Sequence, residues 1–72
     1  MQVSGSVLKP RFKVGQDIWF RRYKTNRPAP VSVLGFGVYP KTYDVGSLET
    51  VLILQNVEEK FLYATLEEAN NE

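Results

Sequence analysis

The chain has 72 residues, so we expect a single domain that buries only about 60% of its unfolded surface. It contains no cysteine and no histidine, which excludes disulfides, thiolate metal sites and histidine acid–base chemistry. No segment has the length of a signal-peptide core or of a membrane helix, and we therefore expect a soluble, cytoplasmic protein.

Charge is unevenly distributed along the chain. The net charge is +1, yet eight of the nine basic residues lie within residues 1–41 and seven of the eight acidic residues lie within residues 42–72. Such asymmetry is typical of a basic binding face. It is equally compatible with strands and a C-terminal segment that neutralise one another in the fold, and the sequence leaves both interpretations open.

The clearest strand signal lies between Lys13 and Tyr23. Gly15 suits a tight turn, and β-branched and aromatic residues follow at once. Alternation predicts that Ile18 and Phe20 face the core, with Arg22 reaching solvent at the strand end. The outward face of this strand would then present Trp19, Arg21 and Tyr23.

Further strands are predicted along the rest of the chain. Residues 24–30 contain two prolines and form a loop, and the next strand, 31–39, carries glycines at 35 and 37 that indicate a close neighbour or a bend. A short strand is expected around residues 43–45. The apolar run within 48–55 predicts a strand buried on both faces, and residues 61–63 predict a last short strand.

These elements predict an all-β fold, a strongly bent five-stranded antiparallel barrel, with residues 12–72 as the domain and residues 1–11 as a flexible leader or an edge strand. The predicted core consists of Val14, Ile18, Phe20, Leu34, Phe36, Val38, Val51, Ile53, Leu62 and Leu66.

The C-terminal segment carries a helix start signal. Thr65 and Glu68 have the spacing of a capping box, in which the Thr65 hydroxyl accepts from the Glu68 amide and the Glu68 carboxylate accepts from the Thr65 amide. A short helix should therefore run from Leu66 to about Asn70, with Leu66 and Ala69 covering an open end of the barrel.

Two segments carry a resemblance to known proteins. The opening Lys-Val-Gly-Gln-Asp-Ile-Trp-Phe of residues 13–20 and the close Leu-Tyr-Ala-Thr-Leu-Glu-Glu-Ala of residues 62–69 resemble small uncharacterised bacterial and phage proteins with an SH3-like barrel. In that group a Gly-Asp-x-Val type opening and a Thr-x-Glu-Glu-Ala close recur, whereas here Gln16 separates Gly15 from Asp17. The resemblance implies an SH3-like fold and an origin in a phage or mobile element, and it implies no activity.

Composition argues against catalysis and for binding. Without cysteine or histidine there is no recognisable nucleophile–base pair, so we expect no enzyme, no metal and no cofactor. Trp, Tyr and Arg dominate protein-binding hot spots, which predicts a protein partner or self-association through Trp19, Arg21 and Tyr23. The alternative is nucleic-acid binding, for which Arg22, Lys24 and Arg27 would add phosphate contacts to the same aromatic face. A third interpretation is that Trp19 is packed within the fold and the arginines pair with Glu58, Glu59 or Glu67.

Overall fold

The computed structural model describes residues 10–71. Its elements are β1 Asp17–Phe20, β2 Ala29–Phe36, β3 Thr42–Ser47, β4 Ile53–Glu58, a 3₁₀ turn Glu59–Phe61, β5 Leu62–Tyr63 and the helix α1 Leu66–Asn70. All neighbouring strands are antiparallel, and they form one sheet in the order β4-β3-β2-β1-β5. The 3₁₀ turn leads the chain from β4, at one edge, to β5 beside β1.

The predicted all-β fold with five antiparallel strands and a short C-terminal helix is confirmed. Over residues 10–71 the sheet is open, because β4 and β5 have no pairing with each other, so closure into a barrel stays a prediction. The leader or edge strand expected at residues 1–11 lies mostly outside the described residues. From Arg11 onward the chain is attached to the sheet, since the Arg11 amide donates to the Tyr43 hydroxyl at 2.9 Å.

The turn before β1 forms as Gly15 predicts. Gly15 has a φ of +90°, and the Gln16 amide donates to the Lys13 carbonyl at 3.0 Å. Two more backbone bonds, Gly15 N–H to Val33 O and Val33 N–H to Gln16 O, dock the turn against β2. Val14 was predicted in the core, but it lies in this turn and is 58% exposed.

The core lies on one face of the sheet. Its buried side chains are Phe12, Ile18, Val31, Val33, Tyr43, Val45, Val57 and Leu62. Phe20 is partly buried against them, so the predicted inward orientation of Ile18 and Phe20 is confirmed, as is burial of Leu62. Phe12 and Tyr43 meet edge to face with ring centroids 5.4 Å apart, a favourable arrangement for aromatic quadrupoles.

The orientation predicted for β2 is wrong. Val31 and Val33 are buried, whereas Leu34 and Phe36 are half exposed and Val38 lies beyond the strand end in solvent. Val31 and Val33 lie before the point at which the register against β3 shifts, so the predicted alternation is already wrong at the start of the strand. After this bulge Phe36 pairs with the buried Tyr43, and the centroids of the two rings are 5.8 Å apart. Gly35 lies at the bend itself.

Gly37 confirms the expected close approach. A Cβ atom at this position would overlap Thr42 Oγ1 and would lie 2.6 Å from Asn56 Oδ1. By contrast, no atom of residues 10–71 lies within 4 Å of the corresponding position on Gly35. The two glycines therefore have different roles, one at a bend and one beneath two side chains.

The apolar run before β4 is also not the buried strand that was predicted. Residues 48–52 form an exposed turn in which Val51 is 99% exposed, and Ile53 is 59% exposed at the start of β4. Within residues 10–71 β4 is an edge strand, and its pairing with β3 shifts between Tyr43 and Val45, where Asn56 adopts a φ of +57°. Leu54, at the end of the apolar run, packs against the core, and Val57, further along β4, is buried in it.

The helix α1 begins and ends where the capping pattern predicts. Thr65 Oγ1 accepts from the Glu68 amide at 3.1 Å, while the Glu68 carboxylate accepts from the Ala64 amide rather than from Thr65. Ala69 is fully buried, but Leu66 is 42% exposed and does not belong to the core. The reciprocal bond is thus displaced by one residue from the standard capping box.

Candidate functional site

Trp19 lies on the face of the sheet opposite the core. It pairs with Pro30 on β2 and with Tyr63 on β5, and directly opposed residues in an antiparallel pair project to the same side. All three side chains are half-buried. Trp19, Pro30 and Tyr63 therefore form a row across three strands, which we call the outer row.

The outer row continues toward β3 and β4 with apolar side chains. The Leu48 amide donates to the Pro30 carbonyl at 3.0 Å, and Leu34 covers Gly46, where a Cβ would lie 3.2 Å from the Leu34 side chain. Ile53 pairs with the same glycine from β4. The outward face of the sheet thus carries apolar groups from β5 to β4.

Arg21 is engaged within the fold. Its guanidinium donates to the carbonyl oxygens of Ala69 at 2.5 Å, Lys24 at 2.6 Å and Tyr23 at 3.4 Å. Bonds to a charged donor are stronger than neutral ones, so this side chain holds the loop after β1 against the C-terminal end of α1. Three of its five N–H donors are therefore engaged within the fold.

Arg22 takes the opposite side of the strand, as alternation predicts. Its guanidinium lies over the rings of Tyr23 and Phe61, 5.5 Å and 5.6 Å from their centroids, and Lys60 lies over the same Phe61 ring at 5.2 Å. Tyr23 is 58% exposed, and Lys24 and Arg27 are exposed in the following loop. The six predicted site residues therefore do not form one surface: Trp19 is on one face and Arg22 on the other.

The pairing of these arginines with Glu58, Glu59 or Glu67 is not observed. Glu58 pairs with Lys60 at 3.3 Å, and Glu59 accepts the Tyr43 hydroxyl at 2.7 Å. Between residues 10 and 71 the only other ion pair joins Arg11 and Glu68 at 3.5 Å. The basic side chains after β1 are thus available for an external partner, with the exception of Arg21.

An open cleft of about 610 Å³ lies beside the β2–β3 turn. It is lined by Arg11, Tyr39, Pro40, Lys41, Thr42, Asn56, Glu58, Glu59 and Lys60. Both of its carboxylates are held by partners, Glu58 by Lys60 and Glu59 by Tyr43. Burial, followed by the bond to Glu59, raises the pKa of Tyr43 above its usual value of 10.0, which keeps this phenol protonated.

Sequence reasoning missed the partners of the aromatic residues. Tyr63, Pro30, Phe61 and Lys60 were not predicted as site residues, although they contact or flank those that were. Only the pairing of β1 with β2 and β5 brings them together, and neither register can be derived from local patterns.

Comparisons with known proteins identify no relative. No family model matches the chain, and no curated protein and no solved structure matches it. Within residues 10–71 no three acidic side chains are grouped as a metal site would require, and the one α-helix there is too short to cross a membrane.

Proposed function

We propose that this protein is a non-enzymatic binding module that recognises a protein partner through the outer row. The observation that carries the proposal is the position of the half-buried Trp19 between Tyr63 and Pro30 on the sheet face opposite the core. Tryptophan and tyrosine supply large contact areas at low entropic cost and are enriched at the centres of protein interfaces.

The charges near the outer row favour a protein over a nucleic acid. Asp17 lies two positions before Trp19 in β1 and therefore projects from the same face of the sheet. Its carboxylate would repel a polyanion. Arg21, the nearest cation in the alternation, is bonded to three carbonyl oxygens. An uncharged or basic protein surface would not be repelled by Asp17 and would not depend on the guanidinium of Arg21.

Other parts of the proposal rest on the sequence. The lack of histidine and cysteine supports a non-enzymatic role, and the lack of cysteine is compatible with the reducing cytoplasm. The proposed origin in a phage or mobile element rests on the resemblance of residues 13–20 and 62–69 to SH3-like phage and bacterial proteins.

Replacing Trp19 with alanine should abolish partner capture while leaving the fold intact. In a pull-down from host lysate, proteins retained by the wild type should be absent with Trp19→Ala, and the affinity of the isolated partner should fall at least about tenfold. Tyr39→Ala is the matched control, because Tyr39 is 64% exposed in the β2–β3 turn. Equal capture by the wild type and both variants would contradict the proposal.

A second candidate function is nucleic-acid binding on the opposite side of β1. It is favoured by the position of Arg22 over two aromatic rings, with Tyr23, Lys24 and Arg27 exposed beside it. Stacked cations next to exposed rings are a common arrangement for single-stranded nucleic acids.

Fluorescence anisotropy with a labelled single-stranded oligonucleotide tests this second function. If three or four of these groups contact phosphates, log affinity should fall with log salt with a slope of roughly −2 to −3, about −0.7 per contact. Arg22→Gln should weaken binding. Arg11→Gln serves as the charge-matched control, because Arg11 lies before β1 and pairs with Glu68. No binding even at low salt would exclude the function.

A further inference from the structure

A small cavity lies between the edge strand β4 and the end of β1. Its volume is about 220 Å³, and its walls are formed by Phe20, Arg22, Leu54, Gln55, Asn56, Val57, Glu58 and Phe61. This volume is below the range of about 300–1,000 Å³ typical of small-molecule sites. The cavity is therefore large enough for a single aliphatic side chain, and the charged residues in its lining are Arg22 and Glu58.

The turn before β4 presents such a side chain. Val51 is 99% exposed, with Leu48 and Leu52 more than half exposed on either side. Glu49 is exposed in the same turn and forms no ion pair within the described residues. The turn therefore combines an apolar tip with a negative charge two residues away.

Hydrogen bonds within the turn hold this shape. The Ser47 hydroxyl accepts from the amides of Glu49 and Thr50, both at 3.1 Å, and the Thr50 hydroxyl accepts from the Leu52 amide at 3.1 Å. A segment ordered before binding loses less conformational entropy when it docks. The exposed valine is thus displayed on a pre-organised support.

We propose that a second copy of this chain inserts Val51 into this cavity and places Glu49 against Arg22. Four of the eight lining residues are apolar and would contact Val51, namely Phe20, Leu54, Val57 and Phe61. The unpaired Glu49 carboxylate would meet the Arg22 guanidinium, which has no carboxylate partner among residues 10–71, while Glu58, the carboxylate of the lining, already pairs with Lys60. Neither group needs to break an existing ion pair.

The position of β4 makes the contact reciprocal. The turn directly precedes β4, and Leu54 to Glu58 of the same strand line the cavity. When two β4 edges lie antiparallel across a two-fold axis, the turn of each copy reaches the cavity of the other. Such an arrangement closes as a dimer rather than growing into a filament. The side of β4 that has no strand partner within residues 10–71 adds backbone groups to the contact.

Sedimentation velocity over a wide concentration range tests the dimer. The wild type should shift from monomer to dimer, and Val51→Asp should remain monomeric at every concentration used for the wild type. Val14→Asp is the matched control, because Val14 is an exposed valine in a different turn, and it should dimerise as the wild type does. A wild type that is monomeric throughout, or a Val51→Asp dimer, would overturn the proposal.

Charge exchange tests the ion pair separately. Arg22→Glu and Glu49→Arg should each weaken dimerisation at least about tenfold, and the double variant should restore it. Failure of the double variant to recover would overturn the assigned contact. Trp19→Ala should dimerise normally, so failure of this proposal and failure of the outer-row proposal are distinguishable.

Discussion

Gly37→Ala should destabilise the protein by about 1–3 kcal/mol or more, because the added methyl group enters space that is already filled. It would overlap Thr42 Oγ1 and lie 2.6 Å from Asn56 Oδ1. Both oxygens are engaged: Thr42 Oγ1 donates to the Tyr39 carbonyl at 2.7 Å, and Asn56 Oδ1 accepts from the Val38 amide at 2.9 Å. Moving either side chain therefore breaks a hydrogen bond as well as the local packing.

Gly35→Ala provides the matched control for this substitution. Gly35 lies two positions before Gly37, yet a Cβ there would meet no atom of residues 10–71 within 4 Å. We therefore expect the free energy of unfolding to change by no more than about 0.5 kcal/mol. Urea unfolding of both variants measures the difference. Equal midpoints for the two variants would show that the space beside Gly37 is not closed in solution.

Tyr43→Phe should cost about 1–3 kcal/mol, since it removes a buried hydroxyl on which several groups depend. The hydroxyl donates to Glu59 Oε2 at 2.7 Å and accepts from the Arg11 amide at 2.9 Å, with the Phe12 amide at 3.4 Å. The ring would keep its contact with Phe12, so the loss isolates the polar interactions. Tyr39→Phe, at an exposed tyrosine, should leave the free energy of unfolding nearly unchanged, and equal effects of the two variants would contradict this role.

The effect of Tyr43→Phe should also depend on pH. Because burial and Glu59 raise the pKa of Tyr43 above 10.0, the folded state holds the phenolic proton more tightly than the unfolded state does. The stabilisation is therefore fully present below about pH 10, and it is lost as pH rises through the pKa of the folded state. The difference in unfolding free energy between the wild type and Tyr43→Phe should narrow in that range, and a constant difference would contradict the assignment.

Local patterns were sufficient for the elements at the two ends of the described chain. Gly15 predicted the turn, alternation oriented Ile18 and Phe20 inward and Trp19 outward, and the spacing of Thr65 and Glu68 located α1. Each of these depends on residues within a few positions of one another, where backbone sterics and capping bonds decide the outcome.

The middle of the chain could not be predicted in the same way. In β2 Val31 and Val33 face the core although alternation was assigned the other way, and a bulge after Val33 then changes which residues face inward. The apolar run within 48–55 was predicted to be buried because apolar residues are typical of core positions. Both errors concern which residues face which neighbour, and a register shift of one residue reverses every such assignment. Long-range pairing, not local propensity, selects the register.

The candidate site shows the same division. Alternation correctly separated Trp19 from Arg22, but it suggested that Arg21 faces a partner, whereas the Arg21 guanidinium binds a carbonyl 48 positions further along the chain. Likewise, Tyr63 becomes a neighbour of Trp19 only because β5 returns to β1. Contacts between residues so far apart in the sequence cannot be predicted from a short motif.

The three carbonyl bonds of Arg21 have a consequence for local opening. The bonds to Tyr23 and Lys24 fix the side chain within the loop after β1, and the bond to Ala69 joins this loop to the C-terminal helix, with which it shares no strand pairing. If either segment detaches, the bond to Ala69 is lost, so the two should unfold together as one small cooperative unit before the sheet does. The short strand β5 lies between them and would be released in the same event. The outer row would then lose Tyr63 whenever this unit opens. The surface around Trp19 would therefore stay intact only while α1 remains attached to the sheet.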